Sequence, residues 1–199
     1  MLPLFCMLNF QRIGKENGVY FIDSKQLHVC HNRRIKSNKV FKGIASRGKS
    51  STGWFYGLKL FLIINSYGQI IRFNVTTGSI ADNDKNILKK LFKNLSGVVI
   101  GDKGFISSLF EMFYIDGLKI ITKIRNNMKN KLMDITEKLL LKKRGVIESV
   151  FDILMTICDI EHTRHRSPIN AITHLFAGLT AYTYLDKVPS IFSKKFILS

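Results

Sequence analysis

Residues 97–105, GVVIGDKGF, contain a short apolar run that ends at an aspartate flanked by glycines. Such a run, bounded by turn residues, is typical of a short buried strand. Asp102 follows the run almost directly, and open α/β sheets place their ligand-binding groups at the carboxyl ends of strands. The stretch therefore predicts a buried strand with a functional carboxylate at its end.

Strand and helix patterns alternate on both sides of this stretch. Residues 31–53 and 125–131 are rich in basic and polar residues and are predicted to be loops. The turn at 66–68 joins two strand patterns into a hairpin, whereas later strands alternate with helices, so we expect an α/β (α+β) fold with a mixed sheet flanked by helices. Strand patterns cover 19–30, 54–65, 69–77, 97–100 and 118–124, and helix patterns cover 81–94, 106–115, 133–141, 145–160 and 168–184.

The charge of the chain points to a polyanionic partner. The formal net charge is +17, residues 24–81 contain no Asp or Glu, and a second basic run spans 119–144. Nucleic acid is the usual partner of clustered Lys and Arg, and an anionic membrane surface is a weaker alternative. The explanation that needs no partner is a surface kept basic for solubility. The candidate phosphate-binding residues are Arg33, Arg34, Lys39, Lys49, Lys103, Lys142, Lys143, Arg144, Arg164 and Arg166.

Several function classes are excluded by what the sequence lacks. The cysteines Cys6, Cys30 and Cys158 are scattered, so neither a disulfide framework nor a zinc site is indicated, and a reducing cytoplasm fits. No apolar run reaches the length of a membrane span. Gly101 and Gly104 flank Asp102 without the spacing of a nucleotide-binding loop, so no nucleotide cofactor is expected.

Three isolated carboxylates are the candidates for chemistry. Asp23 lies in the middle of a predicted strand, Asp102 at the end of another, and Glu148 on a helix after a basic turn. Carboxylates on separate rigid elements can converge on two Mg²⁺ or Mn²⁺ ions, which in-line phosphoryl displacement uses. The alternative is structural: Asp23 paired with a nearby cation, Asp102 as a turn residue, and Glu148 paired with Arg144.

Other polar and aromatic residues have simpler explanations. Asp82 and Asp84 suit a helix N-terminus, and Asp152, one turn after Glu148, is an alternative third ligand. The basic turn at 161–167, with two histidines, favours a structural or phosphate-binding role over a metal site. The aromatic run Trp54, Phe55 and Tyr56 is expected in the core or on a strand face rather than stacked on bases.

At these carboxylates the sequence resembles bacterial insertion-sequence transposases with an RNase H-like DDE domain. The resemblance implies a triad of Asp23, Asp102 and Glu148 that holds Mg²⁺ or Mn²⁺. It also implies double-stranded DNA as substrate, hydrolysis at the transposon ends, attack of the freed 3′-hydroxyl on target DNA, and a homodimer on paired ends. The matching stretches are FIDSKQLHVCHNRRI, GWFYGLKLFLIIN, IGDKGFIS, TKIRNNMKN, LLLKKRGVIESVFDIL and IEHTRHRS.

The chain departs from the family pattern at a few positions. Around Glu148 the family often carries Tyr-x2-Arg-x3-Glu-x6-Lys. Arg144 matches this motif, whereas Leu141 and Met155 stand at the Tyr and Lys positions. At residues 59–62 the family usually has KLHL, and Phe61 stands at the His position. Asp23 lies early in the chain, which predicts a truncated copy with a remnant at 1–17, the catalytic domain at 18–187 and a tail at 188–199. The alternatives are an inactive remnant that only binds DNA and another RNase H-like nuclease.

Overall fold

The computed structural model describes residues 2–50, 53–105, 108–123, 134–161 and 165–193. The strands are β1 (Val19–Cys30), β2 (Ser46–Ser50), β3 (Gly53–Asn65), β4 (Ile70–Thr77), β5 (Gly97–Gly101) and β6 (Leu118–Thr122). The α-helices are α1 (Leu2–Cys6), α2 (Lys85–Phe92), α3 (Phe110–Ile115), α4 (Ile135–Lys142), α5 (Gly145–Thr156) and α6 (Pro168–Tyr182). A π-helical turn covers Met7–Gln11, and 3₁₀ turns cover Asn32–Ser37 and Lys103–Phe105.

The strands form one mixed sheet. β1 pairs antiparallel with β3 and parallel with β5, and β5 pairs parallel with β6. The other edge of β3 pairs antiparallel with β2 along its first residues and with β4 along the rest. Apart from β2 the strand order is therefore β4-β3-β1-β5-β6. The predicted mixed α/β sheet flanked by helices is confirmed and is consistent with an RNase H-like fold.

Alternate residues of the central strands enter two separate cores, as the two-residue period of a strand requires. Phe21 and Leu62 face α5 and α6, whereas Ile22 and Phe61 face α2 and α3. All four side chains have 0% exposure. The sheet is thus covered by helices on both faces, which explains the almost continuous apolar sequence of β3.

The segment 31–53 differs from its predicted loop. It contains a 3₁₀ turn and β2, whose five residues pair with the start of β3. Gly48 lets β2 pack closely, because a methyl group there would lie 2.1 Å from the Gly78 carbonyl oxygen. β2 is polar, so its sequence shows no strand pattern. It is held as a strand by hydrogen bonds to β3 rather than by burial of an apolar face.

Several helix boundaries also differ from the sequence prediction. The helix expected over 145–160 ends at Thr156, and Asp159 beyond it has φ of +47°, which a helix cannot accommodate. α2 begins at Lys85 rather than at 81, because Asp84 caps it. α3 begins only at Phe110. The loop expected over 125–131 lies outside the described residues.

Both ends of the described chain pack against the domain. Leu8 has 0% exposure within the core beneath α5 and α6, and the rings of Phe5 and Phe176 lie 5.6 Å apart. Arg12 donates to the carbonyl oxygen of Thr183 over 2.6 Å. Near the other end, the Ile191 amide donates to Ser66 O in the β3–β4 turn. None of the described helices combines the length and apolarity needed to cross a bilayer.

Candidate active site

The strand register brings Asp23 and Asp102 to one level of the sheet. β1 and β5 are neighbouring parallel strands in which Phe21 lies opposite Ile100. Asp23 and Asp102 each follow these partners by two residues, so both carboxylates belong to the same end of the parallel pair. Asp23 shares its strand face with Phe21, which is the face covered by α5.

The environment of Asp23 disfavours its charged form. Burial is the largest cause that raises the pKa of this carboxyl, from its ordinary value near 3.8 to about 6, and the negative charges of Asp82 and Asp102 raise it further. The Ser24 amide, which donates to Asp23 Oδ1 over 2.8 Å, and the Arg144 guanidinium oppose this pKa shift. Asp23 is thus a partly buried carboxyl between two other acids and one cation.

Glu148 is engaged by a cation of its own helix. Arg144 Nη2 lies 2.6 Å from Glu148 Oε1, and the Glu148 side chain is 55% exposed. This is the structural alternative considered from the sequence. The structure therefore brings Asp23 and Asp102 together and leaves Glu148 bound to Arg144. Within the described residues, no three Asp, Glu, His or Cys side chains lie close enough to hold a metal ion.

Asp82 is a polar residue of this region that the sequence interpretation placed wrongly. The N-cap of α2 is Asp84, whose carboxylate accepts from the amides of Asn86 and Ile87. Asp82 instead accepts hydrogen bonds from Ser24 Oγ and Lys59 Nζ. A sequence signal for this role existed: Lys59 interrupts an apolar strand, and a buried ammonium needs an anionic partner.

The candidate phosphate-binding residues fall in two regions. Near the β2–β3 hairpin, Arg33, Arg34, Lys39 and Lys49 are exposed. The second region lies along the elements that carry Asp102 and Glu148. Lys103 directly follows Asp102 in the 3₁₀ turn, Lys142 ends α4, and Lys143 and Arg144 lie between α4 and α5, where Arg144 also acts on Asp23. Arg166 is exposed before α6, whereas Arg164 and His162 lie outside the described residues.

The aromatic run lies at the start of β3. Phe55 and Tyr56 are buried in the core, whereas Trp54 lies on the strand with 54% of its surface exposed. The Arg47 guanidinium lies 5.4 Å from the Trp54 ring and the Lys49 ammonium 5.7 Å from it. Trp54 stands near the start of β3, beside the 3₁₀ turn whose Asn32 donates to its carbonyl oxygen.

The three departures from the resembled family are apolar packing residues. Leu141 and Met155 pack against the core beneath α5 and α6, and Phe61 is fully buried in the other core. Each apolar side chain thus occupies an environment in which a charged or polar group would be costly. Asp152, the alternative third ligand, is exposed.

The mixed sheet with helices on both faces is consistent with an RNase H-like fold. A family profile described as "Transposase DDE domain" matches residues 13–168, which is most of the chain, and the chain belongs to this family. A search of curated protein sequences finds no match. Membership implies DNA as a partner, and the family generally uses divalent metal ions.

The donor chemistry of the site fits such an ion. Carboxylate oxygens are the ligands that Mg²⁺ and Mn²⁺ prefer. Burial, and to a smaller extent the charges of Asp82 and Asp102, raises the pKa of Asp23, and a cation bound at this carboxylate would favour its ionised form. Glu148, the third candidate ligand, has its Oε1 paired with Arg144 in this structure.

Proposed function

We propose that this chain is a DNA transposase in which Asp23, Asp102 and Glu148 carry out strand cleavage and strand transfer at insertion-sequence ends. The observation that supports it most is that Asp23 and Asp102 each follow, by two residues, the paired positions Phe21 and Ile100 of adjacent parallel strands, in a chain that matches a Transposase DDE domain profile. In the cleavage step, water adds to the phosphorus while the bond to the 3′ oxygen breaks, and that oxygen leaves as a hydroxyl. In the transfer step, the oxygen of this 3′-hydroxyl loses its proton and bonds to a phosphorus of the target strand, while the bond from that phosphorus to its own 3′ oxygen breaks and that oxygen leaves as a new 3′-hydroxyl.

Asp23, Asp102 and Glu148 would hold Mg²⁺ or Mn²⁺, two ions in the full site. Bound there, the cations supply an activated nucleophile and stabilise charge on the leaving oxygen. The partial burial of Asp23 serves this chemistry, because a poorly hydrated carboxylate gains more from a cation than a hydrated one does. Protons compete with the metal for Asp23, whose pKa without metal is about 6, so metal binding and cleavage should weaken progressively as the pH falls through this range.

Arg144 is the residue that couples DNA to this site. Its guanidinium pairs with Glu148 and also acts on Asp23. A phosphate group competes well for a guanidinium, because the bidentate pairing suits both carboxylate and phosphate. Bound DNA would then draw Arg144 away from Glu148 and release that carboxylate for the metal.

The basic residues near the β2–β3 hairpin and near the candidate site would bind the phosphates of the duplex. Two copies of the protein would form a homodimer on the paired transposon ends. Binding of this kind weakens steeply as salt rises, because each neutralised phosphate releases a counterion. The charge of +17 makes this dependence large.

Nicking of a supercoiled plasmid by the purified chain tests the proposed function. We expect nicking with Mg²⁺ or Mn²⁺, none with EDTA, and a loss of about 10³-fold or more in Asp102→Asn and Glu148→Gln. Asp152→Asn is the matched control, since Asp152 is an exposed carboxylate on the same helix. Nicking that survives in Glu148→Gln but disappears in Asp152→Asn would move the third ligand to Asp152.

A second candidate is a chain that binds DNA without cleaving it. The ion pair between Arg144 and Glu148, together with the lack of a three-ligand cluster in the described residues, favours it. It predicts salt-sensitive DNA binding that is unchanged by Asp102→Asn, with no metal-dependent nicking. A preference for RNA–DNA hybrids in the same assay would instead indicate another RNase H-like nuclease.

A further inference from the structure

The carboxylate of Asp82 connects the segment between β4 and α2 to the two central strands. Ser24 Oγ of β1 donates to Asp82 Oδ1 over 2.6 Å, and Lys59 Nζ of β3 donates to the same oxygen over 3.2 Å. Lys59 also donates to the carbonyl oxygen of Ile80 over 2.7 Å. A single carboxylate oxygen thus receives hydrogen bonds from β1 and β3.

The burial of Lys59 fixes this arrangement. Lys59 is 8% exposed in a strand whose other central residues are apolar. An ammonium in such a place is stable only with an anion and hydrogen-bond acceptors around it. Asp82 and the Ile80 carbonyl supply them, so the segment that carries Asp82 cannot move away without leaving a buried charge.

Ser24 links Asp82 to Asp23 through two hydrogen bonds. Adjacent residues of a strand face opposite sides of the sheet. The Ser24 hydroxyl is held by Asp82 on the face of α2 and α3, while the Ser24 amide donates to Asp23 Oδ1. Anchoring Ser24 therefore fixes both the backbone at Asp23 and one hydrogen bond of its carboxylate.

The second oxygen of Asp82 lies beside the turn that follows Asp102. A methyl group built on Gly104 would lie 3.1 Å from Asp82 Oδ2, so the backbone of the Lys103–Phe105 turn passes against this carboxylate. Asp82 thus hydrogen bonds to the residue that follows Asp23 and lies beside the turn that follows Asp102.

We propose that Asp82, held in place by Lys59, is a positioning residue that sets Asp23 and Asp102 relative to each other. The inference rests on the proposed function, in which these two carboxylates hold the metal. Asp82 acts through Ser24 and the Gly104 turn and is not itself proposed as a ligand, because its Oδ1 is already shared by two donors.

Hydrogen exchange measured by mass spectrometry is the first part of the test, and it needs neither metal nor DNA. In Asp82→Ala and Ser24→Ala, we expect the amides of 22–26 and 101–105 to exchange about tenfold faster or more. Ser24→Thr retains the hydroxyl and should restore the wild-type rate. Asp84→Ala is the matched control, since it removes a neighbouring carboxylate and should accelerate exchange only in α2.

Binding of Mn²⁺, followed by calorimetry, is the second part. Asp82→Ala and Ser24→Ala should weaken it about tenfold or more, whereas Ser24→Thr and Asp84→Ala should leave it close to wild type. Weaker binding without faster exchange would make Asp82 a direct ligand and overturn the proposal. Faster exchange with unchanged Mn²⁺ affinity would reduce Asp82 to a structural role and overturn it as well.

The two parts separate this inference from the proposed function. A wild-type chain that neither binds Mn²⁺ nor nicks DNA contradicts the proposed function, and the exchange rates then decide alone whether Asp82 positions the two segments. Unchanged exchange in both segments overturns the proposal. If Asp82→Ala does not fold, Ser24→Ala decides, because it leaves the pairing of Lys59 with Asp82 intact.

Discussion

At the scale of single residues, Asp23 lowers the stability of the fold at the position where we propose that it binds the metal. Its carboxyl is partly buried beside Asp82 and Asp102, and its pKa rises to about 6. The unfolded chain ionises this group near 3.8, so between the two values the folded chain holds a proton that the unfolded chain has lost. Ionised Asp23 therefore destabilises the fold, a cost that active sites often carry.

Asp23→Asn should for this reason stabilise the protein at neutral pH. The pKa shift corresponds to at most about 3 kcal/mol, and the gain should be present above pH 6 and vanish as the pH falls below about 4, where both states are protonated. Urea unfolding of the two proteins on either side of this window measures it. An equal stability difference at both pH values would contradict the raised pKa.

At the scale of elements, the β2–β3 hairpin stands out because it joins an exposed aromatic ring to cations. Trp54 lies between Arg47 and Lys49, and Asn32 donates to its carbonyl oxygen. The rise of a strand places Trp54 about 26 Å along β3 from Leu62, which pairs with Asp23. That distance corresponds to about eight base pairs, so the hairpin would meet DNA that flanks the cleaved bond.

DNA binding at this hairpin should change the fluorescence of Trp54, the only tryptophan of the chain. We expect duplex DNA to quench the signal and Lys49→Ala to weaken binding at every sequence, reducing the salt slope by about one. Lys90→Ala is the control, because Lys90 is equally exposed but lies on α2. Equal losses of DNA affinity in the two variants would indicate general charge attraction rather than binding at the hairpin.

At the scale of the whole molecule, the segment before β1 takes part in the fold. α1 and the π-helical turn pack on α6, with Leu8 fully buried and Phe10 80% exposed. The Arg12 guanidinium lies 4.0 Å from the centre of the Tyr184 ring. These contacts join residues near one end of the sequence to residues near the other, so the segment closes the core beneath α5 and α6.

Leu8→Ala should therefore destabilise the whole domain. Removing a fully buried leucine side chain costs about 2–5 kcal/mol, because both the apolar contact and the packing volume are lost. Phe10→Ala removes a larger side chain from the same turn but should change the stability by no more than about 0.5 kcal/mol. Thermal or urea unfolding distinguishes them, and a neutral Leu8→Ala would show that the segment does not contribute to the core.

The sequence alone determined the features that depend on local pattern. The apolar run before Asp102 and the apolar face of α2 predicted buried elements, and the turn at 66–68 predicted the β3–β4 hairpin, because side-chain periodicity reports which faces avoid water. Its resemblance to DDE transposases also named the family to which the chain belongs.

Only the tertiary structure decided how distant residues meet. Strand register places Asp23 and Asp102 at the same level of the sheet. Asp82 pairs with the buried Lys59 instead of capping the helix terminus that its sequence position suggested. The exposure of Trp54 and the pairing of polar β2 with the start of β3 likewise depend on packing and hydrogen bonding that no apolar pattern in the sequence indicates. Local patterns record whether a residue prefers water, whereas the choice of its partner is made by packing, hydrogen bonding and charge across the fold.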